Sequence, residues 1–386
     1  MKNKQRNTRL IHPEQQPPPG FVSLTTAIER ASTVVFPDTA ALQQRDWRKE
    51  GYIYGLSGTP TSRALEQRLA ELEGGRHTLL TSSGLAAITL VYLACLQRGD
   101  TVLVPHNVYG PSRDFASHAL AQWGIDAVFY DPLDLERLRG LLQANTKLVW
   151  VETPGSVTME VPDLPAIAQM ARAADALVAV DHTWSAGLAL PVFELGADIA
   201  VQALTKFQSG GSDLLMGSVT TRELTLHHRI QRMHMLLGLG VGMDDCYLIL
   251  RSLPHLQVRF EAHDRAARQV AQWLQGRPEI AAVRHPALAE CPGHAVWQRD
   301  YSGAGSLFSI VFDTRFTAAQ VDAFVDRLTL FKIGFSWGGA CSLALPYDMA
   351  AIRPRWDGGP LVRLYIGMED PQDLIDDLQH GLAILT

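Results

Sequence analysis

The sequence is poor in cysteine, in long apolar runs and in net positive charge. Its four cysteines lie far apart, without the spacings of metal sites or disulfide frameworks. They are Cys95, Cys246, Cys291 and Cys341. The longest apolar stretch, around 85–96, is too short to span a bilayer. A net charge of −6 offers no basic surface for nucleic acid, so we expect no metal, membrane or nucleic-acid partner.

The composition is typical of a globular protein with more than one folding unit. The chain has 386 residues, of which 47% are apolar and 19% charged, and this length predicts roughly two domains. No apolar segment follows the basic residues at the amino terminus, so we expect no secretory signal and a cytoplasmic location. Residues 1–45, rich in proline and polar groups, predict an extended arm, followed by domains at 46–250 and 251–386.

Seven short apolar runs alternate with helical patterns between residues 46 and 250. This alternation predicts an α/β fold with a mainly parallel seven-stranded sheet and crossover helices. The runs are HTLL (77–80), TVLVP (101–105), DAVFY (126–130), KLVWVE (147–152), LVAVD (177–181), IAVQAL (199–204) and LMGSVT (215–220). From residue 251 onward, long polar helices and the runs SLFSIVF (306–312) and LVRLYIG (361–367) predict a smaller α+β domain.

Lys206 follows one of these apolar runs and begins a turn rich in glycine and serine, FQSGGSD (207–213). A lysine in that position can point into a cleft, where partial desolvation makes its amine easier to deprotonate. Such an amine forms an imine with a carbonyl substrate or with pyridoxal phosphate. Most lysines just after strands are solvated surface residues, so the interpretation depends on the other residues near the strand ends.

Asp181 ends the preceding strand-like run, LVAVD. In parallel sheets covered on both faces, functional groups gather at the carboxyl ends of the strands. A carboxylate at this edge can hold the ring nitrogen of pyridoxal phosphate in its charged form. The alternative is an ordinary helix N-cap or turn aspartate.

The segment TSSGLAAITLVYLACL (81–96) joins a short strand to a helix that is apolar nearly all round and therefore predicted to be buried. Its small residues Ser82, Ser83 and Gly84 allow backbone amides to approach an anion at the helix N-terminus. An N-cap before a core helix would have the same pattern. A phosphate site, a carboxylate and a lysine in this order indicate a pyridoxal-phosphate site more specifically than any one of these features does.

The run LVRLYIG alternates, which puts Leu361, Arg363 and Tyr365 on one face of the predicted strand. An arginine in so apolar a strand needs an anionic partner if it is buried. A solvated outer face or a structural ion pair is the alternative from the residues themselves.

Several segments resemble the Cys/Met-metabolism family of pyridoxal-phosphate enzymes, and most closely its cystathionine β-lyase branch. They extend from about residue 20 to the carboxyl terminus. The segments are YGLSGTPT (54–61), LEQRLAELEGG (65–75), SSGLAAI (82–88), TPGSVTMEVPDLPAI (153–167), VDHTWSAG (180–187), QALTKFQSGGSDLLMGS (202–218), SWGG (336–339) and LVRLYIGMED (361–370). The resemblance implies the fold of PLP-dependent transferases, the aspartate aminotransferase type or fold type I.

The resemblance also implies roles for individual residues. Lys206 binds the cofactor and moves the substrate proton, and Tyr109 stacks on the cofactor ring and assists proton transfer. Arg363 binds the substrate α-carboxylate, and Ser336 and Trp337 belong to the same subsite. The other cofactor contacts are Asp181, Ser83, Gly84, Leu85, Thr183, Thr205 and Tyr54. Because Tyr54 is expected to reach across a subunit boundary, the resemblance implies a homotetramer built from dimers with shared active sites.

Three positions depart from the family pattern. Leu56 stands where an arginine that binds the cofactor phosphate is common, so phosphate affinity must come from other groups. His182 stands where asparagine is usual, and Cys341 replaces a usual glutamate. These departures affect the expected substrate preference but not the expected cofactor.

The activity implied is β-elimination from cystathionine to homocysteine, pyruvate and ammonia, a step of methionine biosynthesis. A γ-acting member of the family is the alternative, although such enzymes generally have a smaller residue at the position of Trp337. A remote alternative comes from GFSWG (334–338), which matches the nucleophile elbow of α/β-hydrolases with Ser336 as nucleophile. That fold would need a later histidine, and only His380 follows; Pro346 would interrupt the required helix.

Overall fold

The computed structural model describes residues 4–11, 19–48, 51–353 and 356–385. Within these ranges the chain forms a seven-stranded sheet, a four-stranded sheet and fourteen α-helices. The strands are β1 (His77–Thr81), β2 (Thr101–Pro105), β3 (Asp126–Tyr130), β4 (Thr146–Glu152), β5 (Leu177–Asp181), β6 (Ile199–Gln202), β7 (Gly217–Thr221), β8 (Ile280–Arg284), β9 (Leu307–Phe312), β10 (Leu343–Tyr347) and β11 (Leu361–Tyr365). The helices are α1 (Arg6–Ile11), α2 (Thr39–Gln43), α3 (Pro60–Glu73), α4 (Gly84–Cys95), α5 (Gly110–Asp114), α6 (Leu135–Leu141), α7 (Leu164–Ala173), α8 (Leu224–Leu236), α9 (Met243–Ser252), α10 (Leu256–Gln275), α11 (His294–Asp300), α12 (Ala318–Arg327), α13 (Met349–Ile352) and α14 (Pro371–Leu382). None of the described helices is long and apolar enough to cross a membrane.

The large sheet has the strand order β1-β7-β6-β5-β4-β2-β3. The pairs between β3, β2, β4, β5 and β6 are parallel, whereas β7 is antiparallel to both of its neighbours, β6 and β1. Strand β1 therefore runs in the same direction as β2 to β6. The predicted α/β fold with a mainly parallel seven-stranded sheet is confirmed. The loops that follow β1, β2, β4, β5 and β6 all emerge at one edge of this sheet.

Both faces of the large sheet are buried, because its central strands are apolar at consecutive positions. In β4, Val149 and Val151 pack into one core, together with side chains of α3 and α7. The alternating residues Leu148 and Trp150 pack into a second core with α4. Continuous apolar strands of this kind require cover on both faces. Helix α4 is buried as predicted, since it lies between the sheet and α8.

The small sheet has the order β10-β11-β9-β8 and is antiparallel throughout. Strands β9 and β11 match the two runs predicted for this region. Strand β8 is half-exposed and β10 contains Pro346 at an edge of the sheet, so neither has the continuous apolar pattern of a central strand. The alternation predicted in β11 is confirmed: Val362 and Leu364 pack into the core of the small sheet, and Arg363 lies on the opposite face.

The predicted extended arm contains two short helices, α1 and α2, between segments without regular structure. Arg6 of α1 donates hydrogen bonds to the carbonyl oxygens of Gly187 and Leu188 at 3.1 and 2.9 Å, which ties the helix to the region after β5. Farther along, the arm leaves apolar side chains in solvent. Val22 is 87% exposed and Leu24 is 96% exposed. The predicted domain boundaries near residues 45 and 250 remain predictions.

Candidate active site

A cavity of about 680 Å³ lies at the edge of the large sheet where the carboxyl ends of its parallel strands meet. This is where the topology of such sheets brings distant loops together. Every predicted site residue except Tyr54 lines it. These residues are Ser83, Gly84, Leu85, Tyr109, Asp181, Thr183, Thr205, Lys206, Ser336, Trp337 and Arg363.

The amine of Lys206 points into this cavity. Its Nζ donates a hydrogen bond to Ser336 Oγ at 2.8 Å and lies 5.5 Å from the centre of the Trp337 ring. Burial, assisted by the positive charge of Arg363, lowers the pKa of Lys206 from its ordinary 10.5 to about 8, although Asp181 opposes this shift. Near pH 8 about half of the molecules therefore carry a neutral, nucleophilic amine.

The carboxylate of Asp181 is held in a defined orientation by Thr183. Its Oδ1 accepts hydrogen bonds from the backbone N–H of Thr183 at 3.0 Å and from the Thr183 hydroxyl at 2.6 Å. The same hydroxyl accepts from the backbone N–H of Ala203 at 3.0 Å, which links Asp181 to the segment before Lys206. Burial raises the pKa of Asp181, while the hydrogen bonds from Thr183 and the positive charge of Lys206 oppose that rise.

The N-terminus of α4 forms another wall of the cavity. Ser83 is the N-cap and its side chain accepts a hydrogen bond from the backbone N–H of Ala86 at 3.0 Å. Gly84 packs so closely on the loop after β6 that a Cβ atom there would lie 2.6 Å from Ala203 Cβ. Glycine therefore lets this helix terminus pack against the loop after β6, where its free amides can face an anion in the cavity.

The loop that carries Ser336 and Trp337 lies directly on the backbone of Lys206. A Cβ atom on Gly338 would lie 2.5 Å from the carbonyl carbon of Lys206, so only glycine permits this approach. Ser336 itself has φ 85°, a region that costs a non-glycine residue of order 1–3 kcal/mol. Two other cavity residues, Val157 and Met159, also have positive φ, 70° and 62°. Such strain is typical of functional sites.

Arg363 is a buried cation without an acidic partner among the residues that the structure describes. Its exposure is 8%, and its guanidinium lies 5.2 Å from the centre of the Tyr347 ring. Burial lowers the pKa of this guanidinium, and the phenols of Tyr347 and Tyr109 oppose the shift. A buried and unpaired charge is costly, so this position is suited to an anionic group of a ligand.

Glu152 also lines the cavity but was not among the predicted site residues. It ends β4 directly opposite Asp181 in β5 and accepts a hydrogen bond from the backbone N–H of Tyr109 at 2.8 Å. Burial and the charge of Asp181 raise the pKa of Glu152 well above its ordinary value. The run KLVWVE ends in a carboxylate just as LVAVD does, so the rule applied to Asp181 could have identified it.

The geometry around Ser336 contradicts the α/β-hydrolase alternative. GFSWG lies in a loop before β10, not between a strand and a helix. His380 is an exposed residue of α14 and does not line the cavity. The alternative is therefore wrong, because no histidine in the described part of the chain accepts a hydrogen bond from Ser336, which instead accepts one from Lys206.

Comparison with known proteins agrees with this site. The family model described as "Cys/Met metabolism PLP-dependent enzyme" matches residues 7–383. The chain belongs to this family. A cystathionine beta-lyase of Bordetella avium is 41% identical, over 95% of this chain and 93% of the relative. Cystathionine beta-lyase MetC of Escherichia coli is 37% identical over 99% of both proteins. The crystal structure of metB from Corynebacterium glutamicum has a TM-score of 0.91 at 29% identity, with 100% of this chain and 99% of that chain covered.

As a member of the Cys/Met metabolism family the protein uses pyridoxal 5′-phosphate, and the cavity contains groups that match this cofactor. Lys206 offers an amine to the aldehyde, and its depressed pKa favours the reactive neutral form. Among the described residues, hydrogen bonds to Asp181 go to Oδ1, which leaves Oδ2 for a ring nitrogen. The N-terminus of α4 offers unbonded amides to a phosphate.

The remaining family-based predictions concern residues outside the cavity. Tyr54 is 48% exposed, and its hydroxyl accepts a hydrogen bond from Ser32 Oγ at 3.2 Å. Leu56 is also exposed and lies near Gly240. The role of Tyr54 in a neighbouring subunit remains a prediction. Cys341 is exposed with a free thiol, and His182 is fully buried.

Proposed function

We propose that the protein is a PLP-dependent carbon–sulfur β-lyase that cleaves cystathionine to homocysteine, pyruvate and ammonia. The observation that carries this proposal is that the amine of Lys206, with its lowered pKa, lines the same cavity as Asp181 and Arg363, which has no acidic partner among the described residues. The two relatives named cystathionine beta-lyase, at 41% and 37% identity, support this substrate.

The cofactor contacts follow from the chemistry of the cavity wall. Pyridoxal phosphate supplies an electron-withdrawing ring that stabilises the electron pair left at Cα when a proton is removed. Asp181 Oδ2 would keep the ring nitrogen protonated, and Thr183 holds that carboxylate in place. The amides at the start of α4 would bind the phosphate, with Thr205 beside them, and Tyr109 would cover the ring.

The remaining side chains bind the substrate and move its proton. Arg363 binds the α-carboxylate with a bidentate fork. The amine of Lys206, kept at 2.8 Å by Ser336 Oγ, removes the Cα proton and delivers it to the sulfur as the Cβ–S bond breaks. Homocysteine leaves with that proton. Addition of water to the three-carbon remainder releases pyruvate and ammonia.

Trp337 supports elimination at Cβ rather than at Cγ. Elimination at Cγ requires a base to remove protons from both Cα and Cβ, so the amine must reposition between the two steps. The Trp337 ring lies 5.5 Å from Lys206 Nζ and limits the space for that movement. A γ-acting enzyme remains the competing function that a product assay can separate.

The test is product analysis with the PLP-loaded protein and cystathionine. We expect equal amounts of pyruvate and homocysteine, with slower cleavage of other S-substituted cysteines. Detection of 2-oxobutyrate and cysteine instead would overturn the β-lyase assignment. Absence of a visible absorption band that borohydride bleaches would overturn the use of Lys206 as the cofactor-binding residue.

We also propose that the protein assembles as a homotetramer of dimers with shared sites and works in the cytoplasm. The apolar side chains that the arm exposes, including Phe21 at 64%, support a contact with another subunit. The four cysteines are all free, as expected in a reducing compartment. Sedimentation analysis would measure the assembly, and a stable monomer would contradict it.

A further inference from the structure

Tyr365 is a buried tyrosine of β11 that does not line the cavity but contacts a loop that does. It is 1% exposed and lies on the same face of the strand as Arg363. Its hydroxyl donates a hydrogen bond to the carbonyl oxygen of Gly339 at 2.6 Å. The proposed reaction gives Tyr365 no part. The contact nevertheless joins β11 to the loop that carries Trp337.

The loop from Ser336 to Gly339 has a backbone that other contacts must hold in place. Ser336 has φ 85° and Gly338 has φ 93°, both in the left-handed region. Gly338 also packs directly on the backbone of Lys206. For a non-glycine residue such as Ser336 this conformation is unfavourable, and it persists only where the surrounding structure fixes it. The contact at Gly339 therefore helps to decide how the loop sits on Lys206.

The end of β11 and the residues after it anchor this loop at two places. The backbone N–H and the hydroxyl of Ser342 donate hydrogen bonds to the Glu369 carboxylate, both at 2.8 Å. The hydroxyl of Tyr365 instead reaches Gly339, which lies nearer in the chain to Trp337. Of these anchors, the Tyr365 hydrogen bond is the one placed to fix the tryptophan.

Aromatic packing makes a second connection between Tyr365 and Trp337. The rings of Phe207 and Trp337 lie 5.5 Å apart in an edge-to-face arrangement, and those of Phe207 and Tyr365 lie 6.5 Å apart. Phe207 directly follows Lys206 and is fully buried. The Trp337 ring is thereby held 5.5 Å from Lys206 Nζ. Removing only the hydroxyl of Tyr365 keeps the ring beside Phe207, so that change isolates the hydrogen bond.

We propose that Tyr365 is a positioning residue that holds Trp337 against the amine of Lys206 and so confines elimination to the Cβ–S bond. This inference rests on the proposed function, in which the space around the amine decides which bond breaks. When the hydrogen bond to Gly339 is lost, Trp337 can move away from the amine. The amine then reaches the Cβ proton as well as the Cα proton, which elimination at Cγ requires.

The experiment compares PLP-loaded wild type and Tyr365→Phe on cystathionine and water. Elimination at Cβ gives pyruvate and homocysteine, elimination at Cγ gives 2-oxobutyrate and cysteine, and both release ammonia. Loss of one buried hydrogen bond shifts a conformational equilibrium by about three- to tenfold, so the ratio of 2-oxobutyrate to pyruvate should rise by about that factor. Trp337→Ala removes the ring itself and should raise the ratio further.

Tyr130→Phe is the matched control, because Tyr130 is also fully buried and its hydroxyl donates to the backbone carbonyl oxygen of Trp150 at 2.8 Å. Tyr130 lies outside the cavity, so its variant should lose stability but keep the wild-type product ratio. The ratio does not depend on how much protein is folded, so a merely structural role of Tyr365 cannot change it. An unchanged ratio in Tyr365→Phe or in Trp337→Ala would overturn the inference.

A measurement without cofactor or substrate tests the positioning itself. Fluorine-19 NMR of apoprotein labelled with 5-fluorotryptophan observes Trp337, whose resonance is assigned by its loss in Trp337→Phe. This resonance should broaden or split in Tyr365→Phe and stay unchanged in Tyr130→Phe. A resonance that stays sharp and single in Tyr365→Phe would mean that the hydrogen bond does not hold the tryptophan.

Failure of the inference and failure of the proposed function give different results. Wild type that forms mainly 2-oxobutyrate and cysteine would overturn the proposed function. Wild type that forms pyruvate and homocysteine, with the same ratio in Tyr365→Phe, would overturn only the role of Tyr365.

Discussion

Single side chains in the cavity carry charges that the protein does not fully neutralise. Arg363 has no acidic partner among the described residues, and Lys206 is buried enough that its pKa falls to about 8. Burying such groups costs stability in the empty protein. The aldehyde of the cofactor would react with the amine of Lys206, and the carboxylate of an amino-acid substrate would pair with Arg363. Both would reduce the free-energy cost of burying these two side chains. The first three predictions follow from these two residues.

Lys206→Ala should abolish the visible band of the bound cofactor and reduce turnover by more than the about 10²–10⁴-fold typical of a positioned base. The fold should survive, because the lost side chain only lines a cavity. Absorption spectra and product assays measure both effects. Lys147→Ala, which removes a half-buried lysine that lies outside the cavity and pairs with Asp175, should behave as wild type. Substantial turnover by Lys206→Ala would contradict the assignment.

Arg363→Ala should lower kcat/KM by two to four decades, because a substrate carboxylate left without its cation costs about 3–5 kcal/mol. The cofactor spectrum should remain close to that of wild type. Arg363→Lys keeps the charge but loses the bidentate fork, so its kcat/KM should lie between those of wild type and Arg363→Ala. Loss of cofactor with normal substrate affinity would instead assign Arg363 to cofactor binding.

The lowered pKa of Lys206 predicts a pH-dependent stability of the apoprotein. Between about pH 8 and 10.5 the unfolded chain binds more protons at this residue than the folded chain does, so its contribution to stability rises with pH, by at most about 1.4 kcal/mol per pH unit. Lys206→Met should therefore stabilise the apoprotein below pH 8, and this gain should shrink toward pH 10. Denaturant unfolding at several pH values measures it. A gain that does not change with pH would mean that Lys206 keeps an ordinary pKa.

At the scale of elements, the cavity exists because α4, the loop after β6 and the loop before β10 approach one another at backbone distance. Gly84 meets Ala203 and Gly338 meets Lys206, so side chains are excluded at both contacts. The parallel direction of β1, β5 and β6 brings the start of α4 and the loops after β5 and β6 to one edge of the large sheet. The site therefore depends on how elements pack as well as on which residues they carry.

Gly84→Ala tests this close approach. Its Cβ would lie 2.6 Å from Ala203 Cβ, so α4 must shift, with an expected loss of about 1–3 kcal/mol in the free energy of unfolding and weaker cofactor binding. Gly140→Ala is the control, because Gly140 lies in α6 with open space around it and alanine there should stabilise the protein slightly. Equal behaviour of the two variants would show that the contact at Gly84 can relax.

At the scale of the whole molecule, the described part of the amino-terminal arm exposes large apolar side chains to solvent. Val22, Leu24 and Val35 are each more than 80% exposed, and Tyr54 lies outside the cavity of its own chain. Surfaces of this kind are typical of contacts with another chain. If Tyr54 contributes to the active site of a partner subunit, a dimer of two chains inactivated at different residues can contain one intact active site.

Mixing subunits tests the shared site. Lys206→Ala and Tyr54→Ala should each be weakly active or inactive, but co-refolding them in equal amounts should restore about a quarter of wild-type activity, since half of the dimers are mixed and each holds one intact site. Activity of the mixture is compared with that of each parent refolded separately. Recovery no greater than the average of the parents would mean that each site belongs to one chain.

The sequence by itself determined the seven strands, the buried α4 and the alternation in β11, because these follow from the local spacing of apolar residues. Its strand-end residues also identified Asp181 and Lys206, and a family resemblance was needed to interpret Ser336, Trp337 and Arg363. Strands β8 and β10 were missed because their local patterns are weak.

Only the tertiary structure determined which polar and charged side chains contact one another. Lys206 and Ser336 are 130 residues apart in the chain yet 2.8 Å apart in the cavity, and no local pattern encodes that contact. The structure likewise added Glu152, left Arg363 unpaired within the described residues, and packed His182 against Glu73. The pKa shifts of Lys206, Glu152 and Arg363 depend on burial and on neighbours from distant segments, so they are properties only of the folded chain.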